Sequence, residues 1–162
     1  EYADDPRHAR FVGEVVAAAV RRYGASPSAG DHIFVGASLG AVASLAAAWR
    51  LGGVGGLALL SGSFVTRLGG PTQRGPMFLP VIDFLARFRQ DLRPPAPVVY
   101  QACGEYEGLA PDNRWFAEVL GETVERLHSR EAPDGHHCHH WRDQLGPALA
   151  LTVPGADPAI AG

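Results

Sequence analysis

The sequence predicts an α/β fold, a parallel sheet with helices packed on both faces. Short apolar runs alternate with stretches that are apolar at helical spacing. The runs are continuously apolar, as strands buried on two faces must be, rather than alternating polar and apolar. Glycine and proline punctuate the junctions. Four such runs and about five helical stretches fit in 162 residues, the length of one domain.

The elements follow in order. Phe11, Val12, Val15, Val16, Ala19 and Val20 recur at helical spacing, with Arg21 and Arg22 in the last turn, so a helix is expected over Phe11–Tyr23. Gly24 to Gly30 is a loop by its glycine, serine and proline. His32–Val35 is a short strand ending at Gly36. Leu39–Arg50 is alanine-rich and helical, and Gly52 and Gly53 stop it. Leu57–Leu60 is the second strand. Ser61–Gly75 is irregular, with turn residues throughout. Met77–Gln90 returns to helical period through Phe78, Val81, Ile82, Leu85 and Phe88. Pro94, Pro95 and Pro97 lead stiffly into the third strand, Val98–Ala102. Pro111 suits a helix's first turn, and Trp115, Phe116, Val119 and Leu120 continue it. Val124–Ser129 reads as the fourth strand and Trp141–Leu151 as the last helix. Residues 154–162 read as a frayed tail after a domain spanning residues 1–153.

Composition excludes several classes. Net charge is -3, so no bulk electrostatic pull draws the chain to nucleic acid or an anionic membrane. All 14 basic residues are arginine. No apolar run approaches the ~18 residues of a membrane helix. Cys103 and Cys138 are too few for a disulfide framework and match no zinc template; whether they bridge stays open. The chain begins with Glu1 and its only methionine is Met77, so a piece of a longer protein is expected. The compartment stays open, with the cytoplasm as default.

Gly36-Ala37-Ser38-Leu39-Gly40 stands between an apolar strand and an alanine-rich helix. This is the G-x-S-x-G pattern in the context it requires. A strand that turns sharply into a helix strains the serine backbone and projects Oγ into the open. The flanking glycines are expected to remove side chains that would collide across the turn. The Leu39 amide at the helix start can then donate to an oxyanion. The bland alternative is an ordinary strand-to-helix turn with Ser38 as a helix cap.

A serine alcohol needs a base. Of seven histidines, four crowd into Gly135-His136-His137-Cys138-His139-His140-Trp141, in a loop after the last strand. The chain order serine, acid, histidine puts the base there. A metal patch is the alternative, disfavoured because adjacent residues rarely converge on one ion. The orienting acid should follow the third strand, where Glu105 and Glu107 are both loop candidates, with Asp112 just beyond.

Three stretches resemble the esterase family of α/β-hydrolases that includes esterase D, enterochelin esterases, feruloyl esterases and mycolyltransferases. They are Phe34 to Gly40 with Leu60-Ser61-Gly62-Ser63-Phe64; Val99 to Glu107 with Asn113-Arg114; and Gly135-His136 with Trp141-Arg142 and Leu145. They come in the family's order and cover nearly the whole chain. The resemblance implies an α/β-hydrolase-type sheet whose early strands, and the loop giving a second oxyanion donor, have no counterpart here. It implies Ser38 as nucleophile, His136 as base and Glu107 as acid, with Glu105 in reserve. The implied function is carboxylic-ester hydrolysis through an acyl-enzyme. The alternatives are acyl transfer of the mycolyltransferase type, or a catalytically inactive fold used for binding. The implied partner is a small-molecule ester, with Phe64, Tyr106 and Trp141 as candidate pocket walls, and no cofactor or metal is called for. The uncovered edge of the first strand leaves room for a second copy of the chain.

Overall fold

The computed structural model describes residues 3–69 and 74–153. The chain folds as α1 (Pro6–Tyr23), β1 (Ile33–Ala37), α2 (Leu39–Leu51), β2 (Gly56–Leu60), α3 (Leu79–Gln90), β3 (Val98–Gly104), α4 (Ala110–Gly121), β4 (Arg126–Ala132) and α5 (Cys138–Thr152). The four strands form one parallel sheet in the order β1-β2-β3-β4. The expected α/β arrangement is present, and residues 154–162 lie outside the described part.

Alternation along the strands sorts two cores. Leu57, Leu59 and Val99 face one side, where Val42 and Leu45 of α2, Phe84 and Phe88 of α3 and Phe116 of α4 close over them. Ala58, Leu60, Tyr100 and Ala102 face the other side, against Ala148 of α5. The central strands are buried at every position. That is why they read as continuous apolar runs.

Three elements depart from expectation by three residues or more at one end. Helix α1 starts at Pro6 rather than Phe11: Asp5 caps it by accepting from the Arg7 amide at 2.8 Å, and Pro6 fills the first turn. Helix α5 starts at Cys138 rather than Trp141. Strand β4 runs Arg126–Ala132 rather than Val124–Ser129. Val124 is instead a buried turn residue that donates its amide to Leu120. β4 is the sheet's edge and carries Arg126, Arg130 and Glu131, mostly exposed. Charges on an edge strand block further pairing, and they also erase the apolar signal. At the other edge, β1 pairs only with β2, and Val35 is exposed. No helix among the described residues is long and apolar enough to cross a membrane.

Candidate functional site

The carboxyl ends of the strands gather the chemistry, as open parallel sheets generally do. β1 ends at Ala37, and Ser38 turns the chain into α2 with φ 57° and ψ -122°, a conformation outside the ordinary wells for a side-chain-bearing residue. Two contacts hold it there. The Ser38 amide donates to the Leu60 carbonyl at 2.9 Å, and the Ser63 amide donates to the Ser38 carbonyl at 3.2 Å. The Ser38 side chain makes no capping hydrogen bond to α2, which removes the helix-cap alternative. Leu39 is the first residue of α2, so its amide has no partner within the helix.

The two flanking glycines differ, contrary to expectation. A Cβ on Gly36 would fall on the Gly40 carbonyl and the Ser44 hydroxyl, so the strand and helix could not approach. A Cβ on Gly40 would meet nothing among the described residues. The tight turn therefore needs only Gly36.

His136 sits in the β4–α5 loop. Its Nε2 is 3.0 Å from Ser38 Oγ, and its Nδ1 is 2.7 Å from Glu107 Oε2. The three residues, spread over 98 positions of sequence, form one connected chain of hydrogen bonds. An ionised carboxylate can only accept, so the Nδ1 nitrogen must carry the proton, and the Nε2 lone pair faces the Ser38 hydroxyl. The His136 side chain is 36% exposed and that of Glu107 0%. The imidazole is thus partly open to solvent while the carboxyl beneath it is sealed.

Glu107 was expected on an exposed loop; the structure buries it. The chain turns back at Gly104, whose amide donates to Oε1 at 2.8 Å. A side chain at Gly104 would collide with the Asp134 carbonyl and crowd Oε1, so that glycine lets the acid and the histidine loop close on each other. The Ser61 hydroxyl donates to the same Oε1 at 2.6 Å. Burial alone would push this carboxyl up. The hydrogen bonds from Ser61, His136 and Gly104 outweigh it and hold the group below its ordinary range. Glu105 is exposed, and Arg114 on the neighbouring helix pairs with Glu131.

Asp134 shapes the histidine loop. Its Oδ1 accepts from the Gly135 amide at 2.7 Å and lies 2.8 Å from His137 Nε2. The Gly135 amide, first, and then the neighbouring histidines hold its carboxyl below the usual range. Of the crowded histidines, only His136 reaches the serine; His137 caps α5 and His140 is fully buried. Cys103 is buried and free, and Cys138 is exposed and free, so no bridge joins them. Burial first, and then the Glu107 charge, push the Cys103 thiol far up.

Of the three expected pocket aromatics, Phe64 is corrected. It is fully buried and stacked on Phe116 with ring centroids 3.9 Å apart, so it belongs to the core. Tyr106 is 75% exposed beside the acid. Trp141 stands edge-on to His136, ring centroids 5.1 Å apart, and its indole N–H donates to Ser61 Oγ at 3.0 Å. A cavity of about 1110 Å³ lies at the opposite end of the sheet, against Gly55, Pro97, Arg126 and Thr152, and holds none of these groups.

Sequence reasoning assigned no role to Ser61, Ser63 or Asn113. Ser63 is buried, and its Oγ lies 3.3 Å from Ser38 Oγ. Asn113 accepts from the Gly62 amide at 3.0 Å and donates to the Gly62 carbonyl at 2.8 Å, a two-way clamp between the serines. Ser-Gly-Ser directly after an apolar strand, with a buried-side Asn on the next helix but one, was the signal available.

No protein-family model matches the sequence, and no curated protein matches it either. Solved structures do match. An enterochelin esterase from Shigella flexneri superposes with TM-score 0.74 at 20% identity, covering 92% of this chain and 37% of that one. A fluorophosphonate-binding serine hydrolase from Staphylococcus aureus gives 0.68 at 18%, covering 89% and 62%. A ferulic acid esterase gives 0.71 at 13%, covering 94% and 63%. The chain thus spans between about a third and two thirds of the length of these neighbours, and it shares their α/β-hydrolase fold.

Proposed function

We propose that this chain carries the catalytic groups of a serine carboxylic-ester hydrolase, with Ser38 as nucleophile, His136 as general base and Glu107 as orienting acid. One observation carries the reading. An unbroken hydrogen-bonded line runs from Ser38 Oγ through the His136 ring to a buried carboxylate, at 3.0 and 2.7 Å. A strained serine backbone, a part-exposed imidazole and a sealed carboxyl support the same reading.

The chemistry follows from those positions. His136 Nε2 takes the Ser38 proton as Oγ attacks an ester carbonyl. Glu107 holds the ring in that tautomer and stabilises the imidazolium that forms. The carbonyl oxygen becomes an oxyanion against the Leu39 amide, where the start of α2 adds its own positive end. His136 then protonates the departing alkoxide, leaving an acyl group on Ser38. Water, deprotonated by His136, attacks the acyl carbonyl; the bond to Ser38 Oγ breaks, His136 returns the proton to that oxygen, and the acid is released. The partial exposure of the His136 side chain is compatible with water as the acceptor. Trp141 provides aromatic surface beside His136 for the substrate, and Tyr106 is exposed next to Glu107 in the chain.

The structural neighbours, two esterases and a serine hydrolase, support this reading. The test is covalent labelling of the intact protein by a fluorophosphonate, located by peptide mass spectrometry, alongside turnover of a p-nitrophenyl ester. Label on Ser38, with label and turnover both lost in Ser38→Ala, is the expected result. A protein that turns over the ester equally well after Ser38→Ala does not use this serine.

A further inference from the structure

The Ser61 backbone is held at φ 48°, a left-handed conformation that side-chain-bearing residues adopt rarely, and the residue is completely buried. Strain of that kind persists only where surrounding contacts over-determine it. Three such contacts exist. The Ser61 amide donates to the Ala102 carbonyl at 2.7 Å. Asn113 clamps the adjacent Gly62 on both its amide and its carbonyl. The Trp141 indole donates to Ser61 Oγ at 3.0 Å. An indole nitrogen is a donor only, so it occupies the lone pair of Oγ and leaves the Ser61 proton to point away from it. That proton meets Glu107 Oε1 at 2.6 Å.

We infer that Ser61, aimed by Trp141, is a positioning residue for Glu107: it ties up Oε1 and so presents Oε2 alone to His136. The inference rests on the proposed roles of Glu107 and His136. A carboxylate has two equivalent oxygens and a free rotor, and either oxygen could otherwise drift toward the imidazole. Oε1 accepts from Ser61 and from the Gly104 amide, while Oε2 accepts from His136 Nδ1. The same tryptophan closes the circuit, because its ring edge packs against His136. One side chain thereby sets the position of the acid through Ser61 and that of the base through direct contact. Ser63, two residues on, touches Ser38 Oγ. The Ser61-Gly62-Ser63 turn therefore spans from the acid to the nucleophile.

The experiment compares fluorophosphonate labelling rates and the downfield NMR resonance of the His136 Nδ1 proton in the intact wild type, Ser61→Ala, Trp141→Phe, Glu107→Gln and the Ser61→Ala/Glu107→Gln double variant. Ser61→Ala is expected to slow labelling by about 10- to 100-fold, the scale lost when the partner that orients a reacting group is removed. It is also expected to move the Nδ1 proton resonance. Trp141→Phe keeps a ring but loses the donor, and should move the resonance in the same direction with a smaller rate loss. In the Glu107→Gln background, the Ser61→Ala effect should shrink to about twofold, because residues acting through one another are not additive. Wild-type labelling and an unmoved resonance in Ser61→Ala would overturn the inference while leaving Ser38 as nucleophile. So would a full Ser61→Ala effect that persists in the Glu107→Gln background, the mark of a merely structural role. If Ser61→Ala does not fold, Trp141→Phe decides: an unchanged rate and resonance there overturn the inference. If the wild type is not labelled, the nucleophile reading falls, and the Nδ1 resonance still decides whether Ser61 sets the Glu107–His136 pair.

Discussion

Glu107 and Gly36 illustrate how much a single position can be asked to do. The Glu107 carboxyl lies below its ordinary value of 4.5 in the folded chain. Its hydrogen bonds therefore stabilise the fold at pH values above that ordinary value, and the contribution is lost as pH falls through the lowered folded value. Thermal unfolding of wild type and Glu107→Gln should differ most near neutrality and converge in acid, where both side chains are uncharged. On the proposed reading, Glu107→Gln also reduces ester turnover by about 10⁴-fold, since an amide favours the wrong tautomer of the base. Gly36→Ala is a test of geometry rather than charge. The new methyl has no room against the Gly40 carbonyl, so a loss of about 1–3 kcal/mol is expected in denaturant unfolding. Gly40→Ala, with nothing to meet and a better helix former in place, should leave stability unchanged or slightly raised in this chain.

At the scale of elements, α4 does more than cover the sheet. Asn113 in its first turn is buried and holds the Gly62 backbone, while Gln101 of β3 donates to the Asn113 carbonyl at 2.6 Å. Phe116, one turn further, stacks on Phe64 just beyond the Ser61-Gly62-Ser63 turn. The helix thus grips Gly62 and Phe64, in and just after the turn that borders Ser38 and Glu107. Asn113→Ala leaves the Gly62 amide and carbonyl buried without partners, at about 1–3 kcal/mol for each orphaned group. A lowered unfolding midpoint together with slower labelling of Ser38 is expected; a lower midpoint with unchanged labelling would separate α4 from the chemistry. Further along, Arg74 pairs with Asp112 and donates to the Gly108 carbonyl at 3.1 Å, which ties the end of the irregular segment to the start of α4.

The whole molecule is asymmetric. Three helices close one face of the sheet with a large aromatic core, while α5 alone backs the other face. The N-terminal segment is fixed to the larger face by Asp4, whose buried carboxylate pairs with Arg50 of α2 and with Arg87 of α3 at 2.8 Å. Asp4→Ala should cost about 1.5–3 kcal/mol, the range for a hydrogen bond to a charged group, read as a lower denaturant midpoint with the labelling rate of Ser38 unaltered. The sheet's two edges differ as well: β4 is guarded by Arg126, Arg130 and Glu131, whereas β1 exposes Val35.

What could be read from the residues alone was local. The strand, elbow and helix around Ser38 were legible because periodicity, glycine and the apolar-to-alanine switch act within a dozen neighbours. The Asp5-Pro6 start of α1 is equally local, a cap and a first-turn proline ahead of the first apolar residue. Family resemblance, rather than spacing, separated Glu107 from Glu105, since both stand in one turn after β3 and chain chemistry treats them alike. Tertiary structure decided everything that depended on contact between distant segments. Folding buries one glutamate beneath the histidine loop and leaves the other exposed. It commits Phe64 to the core instead of a pocket, shifts β4 toward its charged residues, and brings Ser61 and Trp141, 80 positions apart, into one hydrogen bond. Hydrogen bonding and desolvation depend on which groups face each other across the sheet's end, and no periodicity along the chain encodes that pairing.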